Sequence, residues 1–149
     1  MTINQNNNDL SEVVSFSANR INQWVSLDII IPVYNEEDTL DLLFQRLETV
    51  FSSSNREKYH LKTVRYVMID DGSKDRSAGI IRSYINKGIT ATLYRFTRNF
   101  GHQNAVSAGL DKSTSDVVAV IDADLQDPPE VILQMIAKWR DGFNTESAL

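Results

Sequence analysis

From Leu27 to Trp139 two kinds of apolar pattern alternate, short unbroken runs and longer stretches whose apolar positions fall three and four apart. Leu27-Asp-Ile-Ile-Ile-Pro-Val33 is the first run. A strand buried on both faces reads this way, and Pro32 lies near its end, where a ladder donor can be spared. Leu40, Leu43, Phe44, Leu47, Val50 and Phe51 then form one helical stripe facing a core. Ahead of the stripe, Asn35 is placed to cap that helix, with Glu36, Glu37 and Asp38 at the positive end of its dipole. Residues 52–62 are polar and read as loop, with His60 a solvated loop residue.

The alternation continues. Val64-Arg-Tyr-Val-Met-Ile69 predicts a second strand, and Ile80, Ile81, Tyr84 and Ile85 predict a helix stopped at Gly88. Ala91 to Thr97 predicts a third strand, followed by a helix whose small residues, Ala105, Ala108 and Gly109, permit close approach to a sheet. Asp116 to Ile121 is the fourth strand. Pro128 and Pro129 then introduce a helix with Val131, Ile132, Met135, Ile136 and Trp139 on one side, ended by Gly142. Four strands alternating with helices imply right-handed crossovers, hence an α/β domain with a mostly parallel sheet flanked by helices.

Residues 1–26 are rich in Asn, Ser and Gln and read as a polar tail, disordered around Asn6-Asn7-Asn8 and able to form a short helix later, with Trp24 as a packing residue. The domain proper is expected at 27–142, and 143–149 as a C-terminal tail. At 149 residues, 42% hydrophobic and 23% charged, the chain is sized and composed as one globular domain. Its net charge of -5 argues against a nucleic-acid surface. The absence of cysteine excludes disulfides, thiol catalysis and cysteine-ligated zinc. Nowhere do about 18 apolar residues run together, so no transmembrane segment and no secretory signal is expected, and the location expected is cytoplasmic, including the cytoplasmic face of a membrane.

Polar clusters follow every strand: Asn35 with Glu36, Asp70 with Asp71, Arg98 with Asn99, and Asp122 with Asp124. In a parallel sheet these exits share one edge, so the clusters converge on one site. The last cluster, Asp122-Ala-Asp124-Leu-Gln126-Asp127, crowds three carboxylates at the end of a buried strand. Mutual repulsion and desolvation would be relieved by a cation, and oxygen ligands suit Mg or Mn. The plainer reading is a turn that caps the next helix. Neither a G-x-x-x-x-G-K-[ST] loop nor a G-x-G-x-x-G after the first strand is present, which removes P-loop NTPases and ordinary dinucleotide dehydrogenases. A carboxylate edge holding a metal, with Arg98 as a fixed cation and Asp70 and Asp71 accepting from a base or ribose, composes a nucleotide-diphosphate site.

The ordered set Pro32-Val-Tyr34-Asn-Glu36, Asp70-Asp71-Gly-Ser73 with Asp75, Arg98-Asn99-Phe-Gly101 and Asp122-Ala-Asp124-Leu-Gln126-Asp-Pro-Pro129 resembles the family 2 glycosyltransferases, and within them the polyprenyl-phosphate sugar transferases. The resemblance covers Leu27 to Gly142. It implies the N-terminal, donor-binding part of a GT-A, Rossmann-like fold. By position it implies that Pro32, Tyr34 and Glu36 line the nucleotide pocket and that Asp70 and Asp71 contact base and ribose. It places Asp122 by the nucleotide sugar and makes Asp124 and Gln126 the ligands of Mg or Mn, with Asp122 and Asp124 the catalytic pair. Arg98 either shapes the pocket or touches phosphate, and His102 reads as a helix-start residue. The implied reaction is transfer of a hexose from a UDP- or GDP-sugar to a polyprenyl phosphate with inversion. Such an acceptor has its second pKa at about 6 and is already anionic at neutral pH, so it needs placing more than deprotonation.

Members of this type continue past the Asp-x-Asp helix into an acceptor half, so the expectation is a shortened product or one part of a split enzyme. Three alternatives are carried forward: a nucleotide-sugar-binding module without turnover, a family 2 transferase with a saccharide acceptor, and a receiver-like Mg-binding domain. The last expects a lone phosphoacceptor Asp and a late Lys, which the paired Asp122 and Asp124 fit poorly.

Overall fold

Nine residues, Val25–Val33, form the strand β2, and all but Ser26 are buried. That is the pattern of a central strand, and it lies third of five across the sheet. The computed structural model describes residues 2–5 by their backbone and residues 23–142 in full. The strands are β1 (Thr2–Gln5), β2, β3 (Leu61–Asp70), β4 (Ala91–Arg95) and β5 (Val117–Val120). The helices are α1 (Leu40–Val50), α2 (Ser53–Lys58), α3 (Ser77–Asn86), α4 (His102–Lys112) and α5 (Glu130–Arg140). β5, β2, β3 and β4 run parallel, and β1 lies antiparallel on the outer edge of β5, with Thr2 opposite Val120.

The period of two along β2 divides the core. Leu27, Ile29, Ile31 and Val33 join the α1 stripe and the buried side of α5 in the larger cluster. Ile30 faces the other way, with Val67, Ile69 and Val118, under Ala105 of α4. Gly109 explains how closely α4 approaches. A Cβ built there would lie 2.4 Å from Cγ2 of Ile30. The small-residue reading of this helix is borne out.

Asp28, in the middle of β2, is fully buried, and its carboxylate is held by its parallel neighbour. Arg65 donates from Nε to Oδ1 at 3.1 Å and from Nη2 to Oδ2 at 2.8 Å. The Thr114 N–H also donates to Oδ2, at 3.2 Å, and Arg65 reaches the carbonyl of Lys112 at 3.3 Å. The pair therefore ties the end of α4 to the start of the sheet. Burial alone would raise the Asp28 carboxyl, but hydrogen bonds from Arg65, Ser115 and Thr114, with the Arg65 charge, outweigh it and hold the group below 3.8.

Local expectations differ from the structure in three places. Asn35 does not cap α1. Its φ is 51°, its N–H donates to Oγ of Ser73 at 2.8 Å and its Oδ1 accepts from the Lys74 N–H at 2.9 Å, so it joins two loops. The helix starts only at Leu40, leaving Glu36 to Asp38 in the turn before it. Residues 52–62 are not all loop: Ser52 accepts from the Asn55 N–H and starts α2, and His60, at φ 53°, ends the connection into β3. The His60 ring lies 5.1 Å from that of Trp24, which packs there and stays 47% exposed. Within the expected tail, residues 2–5 form β1, because edge pairing needs only backbone donors and acceptors. The helix expected later in that tail, and the tail at 143–149, fall outside the described residues. No helix among them is long and apolar enough to cross a membrane.

Candidate functional site

The parallel register brings the exits of β2, β3, β4 and β5 to one edge, and hydrogen bonds knit them together. Asp71 donates its N–H to the carbonyl of Val33, and Phe96 to that of Asp70, both at 2.8 Å. The Glu36 N–H donates to Oγ of Ser77 at 2.8 Å and the Glu37 N–H to Asp75 at 3.1 Å. Thr39, instead of capping α1, donates its hydroxyl to the carbonyl of Ala123 at 3.2 Å. The four strand exits are therefore linked along one edge, as the parallel topology predicted.

Asp70 and Asp71 sit beneath that surface. Asp70 is fully buried, accepts from the Ser73 N–H at 3.0 Å and lies 3.2 Å from Nε of Arg95. Asp71 is 3% exposed. Its carboxylate accepts from the N–H of Phe100 at 2.7 Å, from that of Gly101 at 3.1 Å and from Nδ2 of Asn99 at 3.1 Å. An acid that receives three donors in this way organises the loop after β4, which carries Arg98 and leads into His102. Between the two loops lies Gly72, at φ 76°, where a Cβ would stand 2.4 Å from the carbonyl carbon of Arg98. We expect Gly72→Ala to lose about 1–3 kcal/mol from backbone conformation alone and more from the contact, with the loop carrying Arg98 displaced. A drop in the urea midpoint together with weakened nucleotide binding checks this.

Two clefts open on the surface. The smaller, about 370 Å³, is lined by Pro32, Tyr34, Glu36, His102, Asp122 and Asp124. The larger, about 780 Å³, is lined by Tyr34 with the cations Lys74, Arg95 and Arg98 and the hydroxyls of Ser73 and Thr97. Tyr34 borders both and is 44% exposed. One cleft is thus acidic, the adjoining one cationic, and an aromatic ring stands between them. Arg98 lies over the Phe100 ring with its guanidinium carbon 4.1 Å from the centroid. In the acidic cleft Nε2 of His102 is 3.6 Å from Oδ1 of Asp122.

The turn after β5 is bent by Leu125, at φ 64°, and Oδ1 of Asp124 accepts from the Gln126 N–H at 3.1 Å. Asp124 and Gln126 are both exposed. Among the described residues no three His, Asp or Glu side chains are grouped so as to hold a metal. The oxygens of Asp122 and Asp124 suit a hard cation, which would take its remaining ligands from a bound phosphate and from water. This donor set fits Mg or Mn and offers nothing to a soft metal.

Of the site residues read from the sequence, Pro32, Tyr34, Glu36, Asp122 and Asp124 line one cleft, and Arg98 lines its neighbour. Asp70 and Asp71 line neither, and Gln126 meets the group through its backbone bond to Asp124. Lys74 and Arg95 were not singled out. Arg95 lies inside a strand pattern, where a charged end carries no signal of its own; Lys74, between the quoted Ser73 and Asp75, was within reach of the motif.

The family model for glycosyl transferase family 2 matches residues 28–145. A protein of Bacillus subtilis (strain 168), the uncharacterized glycosyltransferase YkcC, is 41% identical over 129 residues, 87% of this chain and 38% of that protein. The bactoprenol glucosyl transferase of Shigella phage SfX is 39% identical over 118 residues, 79% of this chain and 37% of that protein. Among solved structures, the mannosyltransferase PcManGT from Pyrobaculum calidifontis, in complex with GDP-Man and Mn2+, matches with a TM-score of 0.64 at 17% identity, covering 85% of this chain and 39% of that one. That likeness shows the fold, a GT-A sheet with flanking helices. The chain spans less than two fifths of the length of each of these proteins.

Proposed function

The chain belongs to glycosyl transferase family 2, and on that premise we propose that it forms the donor-binding half of a metal-assisted hexosyltransferase acting on a UDP- or GDP-sugar. The observation that carries this reading is the pair of adjoining clefts, acidic and cationic, with Tyr34 as their common wall. The base lies in the larger cleft against Tyr34 and beside Arg98. The diphosphate extends into the smaller one, where anionic oxygens beside Glu36, Asp122 and Asp124 require a cation between them. Asp124, with Gln126 alongside, would hold that cation, and Asp122 would face the sugar. When bound, a divalent ion neutralises the charge that grows on the leaving diphosphate. Asp70 and Asp71 serve this site from below, by holding the loops that carry Ser73 and Arg98.

A polyprenyl phosphate is the acceptor that best suits these residues. It arrives already ionised and asks for no carboxylate base. The name of the phage relative, a bactoprenol glucosyl transferase, supports the same choice. The anomeric carbon would leave the diphosphate oxygen for an acceptor phosphate oxygen on its opposite face, with inversion, at the cytoplasmic face of the membrane.

Calorimetry with a panel of UDP- and GDP-sugars tests the donor reading. Binding is expected with Mg or Mn present and should weaken about a hundredfold or more when the metal is chelated. Equal affinity with and without metal would overturn the metal assignment. Adding polyprenyl phosphate then separates a transferase, which yields lipid-linked sugar, from a binding module, which yields none. A soluble saccharide in its place tests the other acceptor class.

A further inference from the structure

We infer that Thr39 is a positioning residue of the donor site, its hydroxyl setting the Asp122-Ala123-Asp124 turn against Glu36. The inference rests on the metal-assisted donor reading above and adds to it a residue that lines neither cleft. Thr39 stands at the N-cap of α1, where a threonine hydroxyl ordinarily accepts from an N–H of the first turn and strengthens the helix. It makes no such bond here. The Thr39 backbone is itself helical, at φ -111° and ψ -20°, and α1 begins without help from the side chain. A residue suited to a local task is thus used for a distant one.

Its Oγ1 lies among three acceptors. Oε2 of Glu36 is 3.0 Å away, the Ala123 carbonyl 3.2 Å and the Glu36 carbonyl 3.3 Å. A hydroxyl has one proton, so these oxygens compete for it. The Glu36 carbonyl already accepts from the N–H groups of Thr39 and Leu40, each at 3.1 Å. The other two acceptors belong to residues that line the acidic cleft, Glu36 on one side and Ala123, between Asp122 and Asp124, on the other. Of this pair the carboxylate oxygen is the stronger acceptor. Once Glu36 turns to a bound donor, the proton falls to the Ala123 carbonyl. That carbonyl shares a rigid plane with the N–H and Cα of Asp124, so fixing its direction fixes where the Asp124 side chain starts. The hydroxyl therefore carries the state of Glu36 to Asp124 through a bond that spans 84 residues of sequence.

Thr39→Val keeps the shape and removes the proton; Thr39→Ser keeps the proton and removes the methyl group. Calorimetry of the intact chain with UDP-glucose and with GDP-mannose, each in Mn and in chelator, gives a ratio of the two affinities for the donor that binds. Thr39→Val should lower that ratio about five- to tenfold, the usual worth of one hydrogen bond, and Thr39→Ser should return it to within about twofold of wild type. The thermal midpoint of Thr39→Val should stay within a few degrees of wild type, since the helix takes no bond from the hydroxyl. A ratio unchanged in Thr39→Val, or a loss of affinity equal in Mn and in chelator, would overturn the positioning role and leave the donor site standing. So would a Thr39→Val chain that no longer folds, which would assign the hydroxyl to the fold, or a Thr39→Ser chain that does not recover. Absence of binding by either donor to the wild type would overturn the donor site itself and the role with it.

Discussion

Asp124→Ala should abolish the metal-dependent part of nucleotide-sugar binding, lowering affinity about a hundredfold or more in Mg or Mn, while leaving the weak affinity measured in chelator unchanged. The size follows from what a divalent ion supplies between a carboxylate and a diphosphate, several kcal/mol at about 1.4 kcal/mol per tenfold. Asp124 is exposed and its one local bond is to the Gln126 N–H, so the fold loses little by the change. The urea midpoint should move by no more than about 1 kcal/mol equivalent, the usual worth of a single turn hydrogen bond. Gln126→Ala keeps that backbone bond and should cost less. Titration of wild type and both variants, each with and without metal, decides the matter. A full metal effect surviving in Asp124→Ala would take the cation away from this residue.

Asp28→Ala is expected to have the largest effect on stability. It would leave the Arg65 guanidinium, with 28% of its side chain exposed, facing the site of a lost carboxylate that is itself 1% exposed. Breaking a buried pair from one side costs roughly 3–5 kcal/mol, and the partial exposure of Arg65 favours the lower end. Against the 5–15 kcal/mol typical of a domain, that is a large fraction. The pH dependence has a definite sign. The folded Asp28 carboxyl titrates below 3.8, so its stabilisation is complete above that value and is lost as pH falls through it toward the lower folded value. Urea unfolding of wild type between pH 7 and pH 3 should show this acid loss, and Asp28→Ala should lack that component. A variant with an unchanged midpoint would remove the pair from the stabilising contacts.

The sheet was legible because its signals were redundant. The run at Leu27 to Val33 and the α1 stripe from Leu40 to Phe51 each carry their period through several residues, and burial follows them. The convergence of the strand exits was legible for a similar reason: topology alone takes all four to one edge. Asn35 was misread because an Asn before acidic residues has the composition of a helix cap, whereas its bonds go to Ser73 and Lys74, 38 and 39 residues away. Distant partners leave no local trace. Asp28 and Arg65 went unremarked on the same ground, since each stands among apolar strand residues and only the register of β2 on β3 brings them together. The burial of Asp70 and Asp71 also escaped the pattern. A pair of acids before Gly72 suggests exposed ligands, and only the loop after β4, folding back to supply three donors, turns Asp71 inward.

The place of β2 at the middle of the sheet bears on the order in which the chain can assemble. As the polypeptide leaves the ribosome, β3 becomes available to pair along one edge of β2, and β4 then pairs with β3. The other side waits for Val117–Val120, which pair with Leu27 to Ile30 across some ninety residues of sequence. Until then a strand with six Leu, Ile and Val among its nine residues presents an open row of backbone donors and acceptors. Closing so long a loop is slow relative to local pairing. The nascent chain is therefore most prone to stray association in the interval between the synthesis of β4 and that of β5, which is the span a chaperone would have to guard.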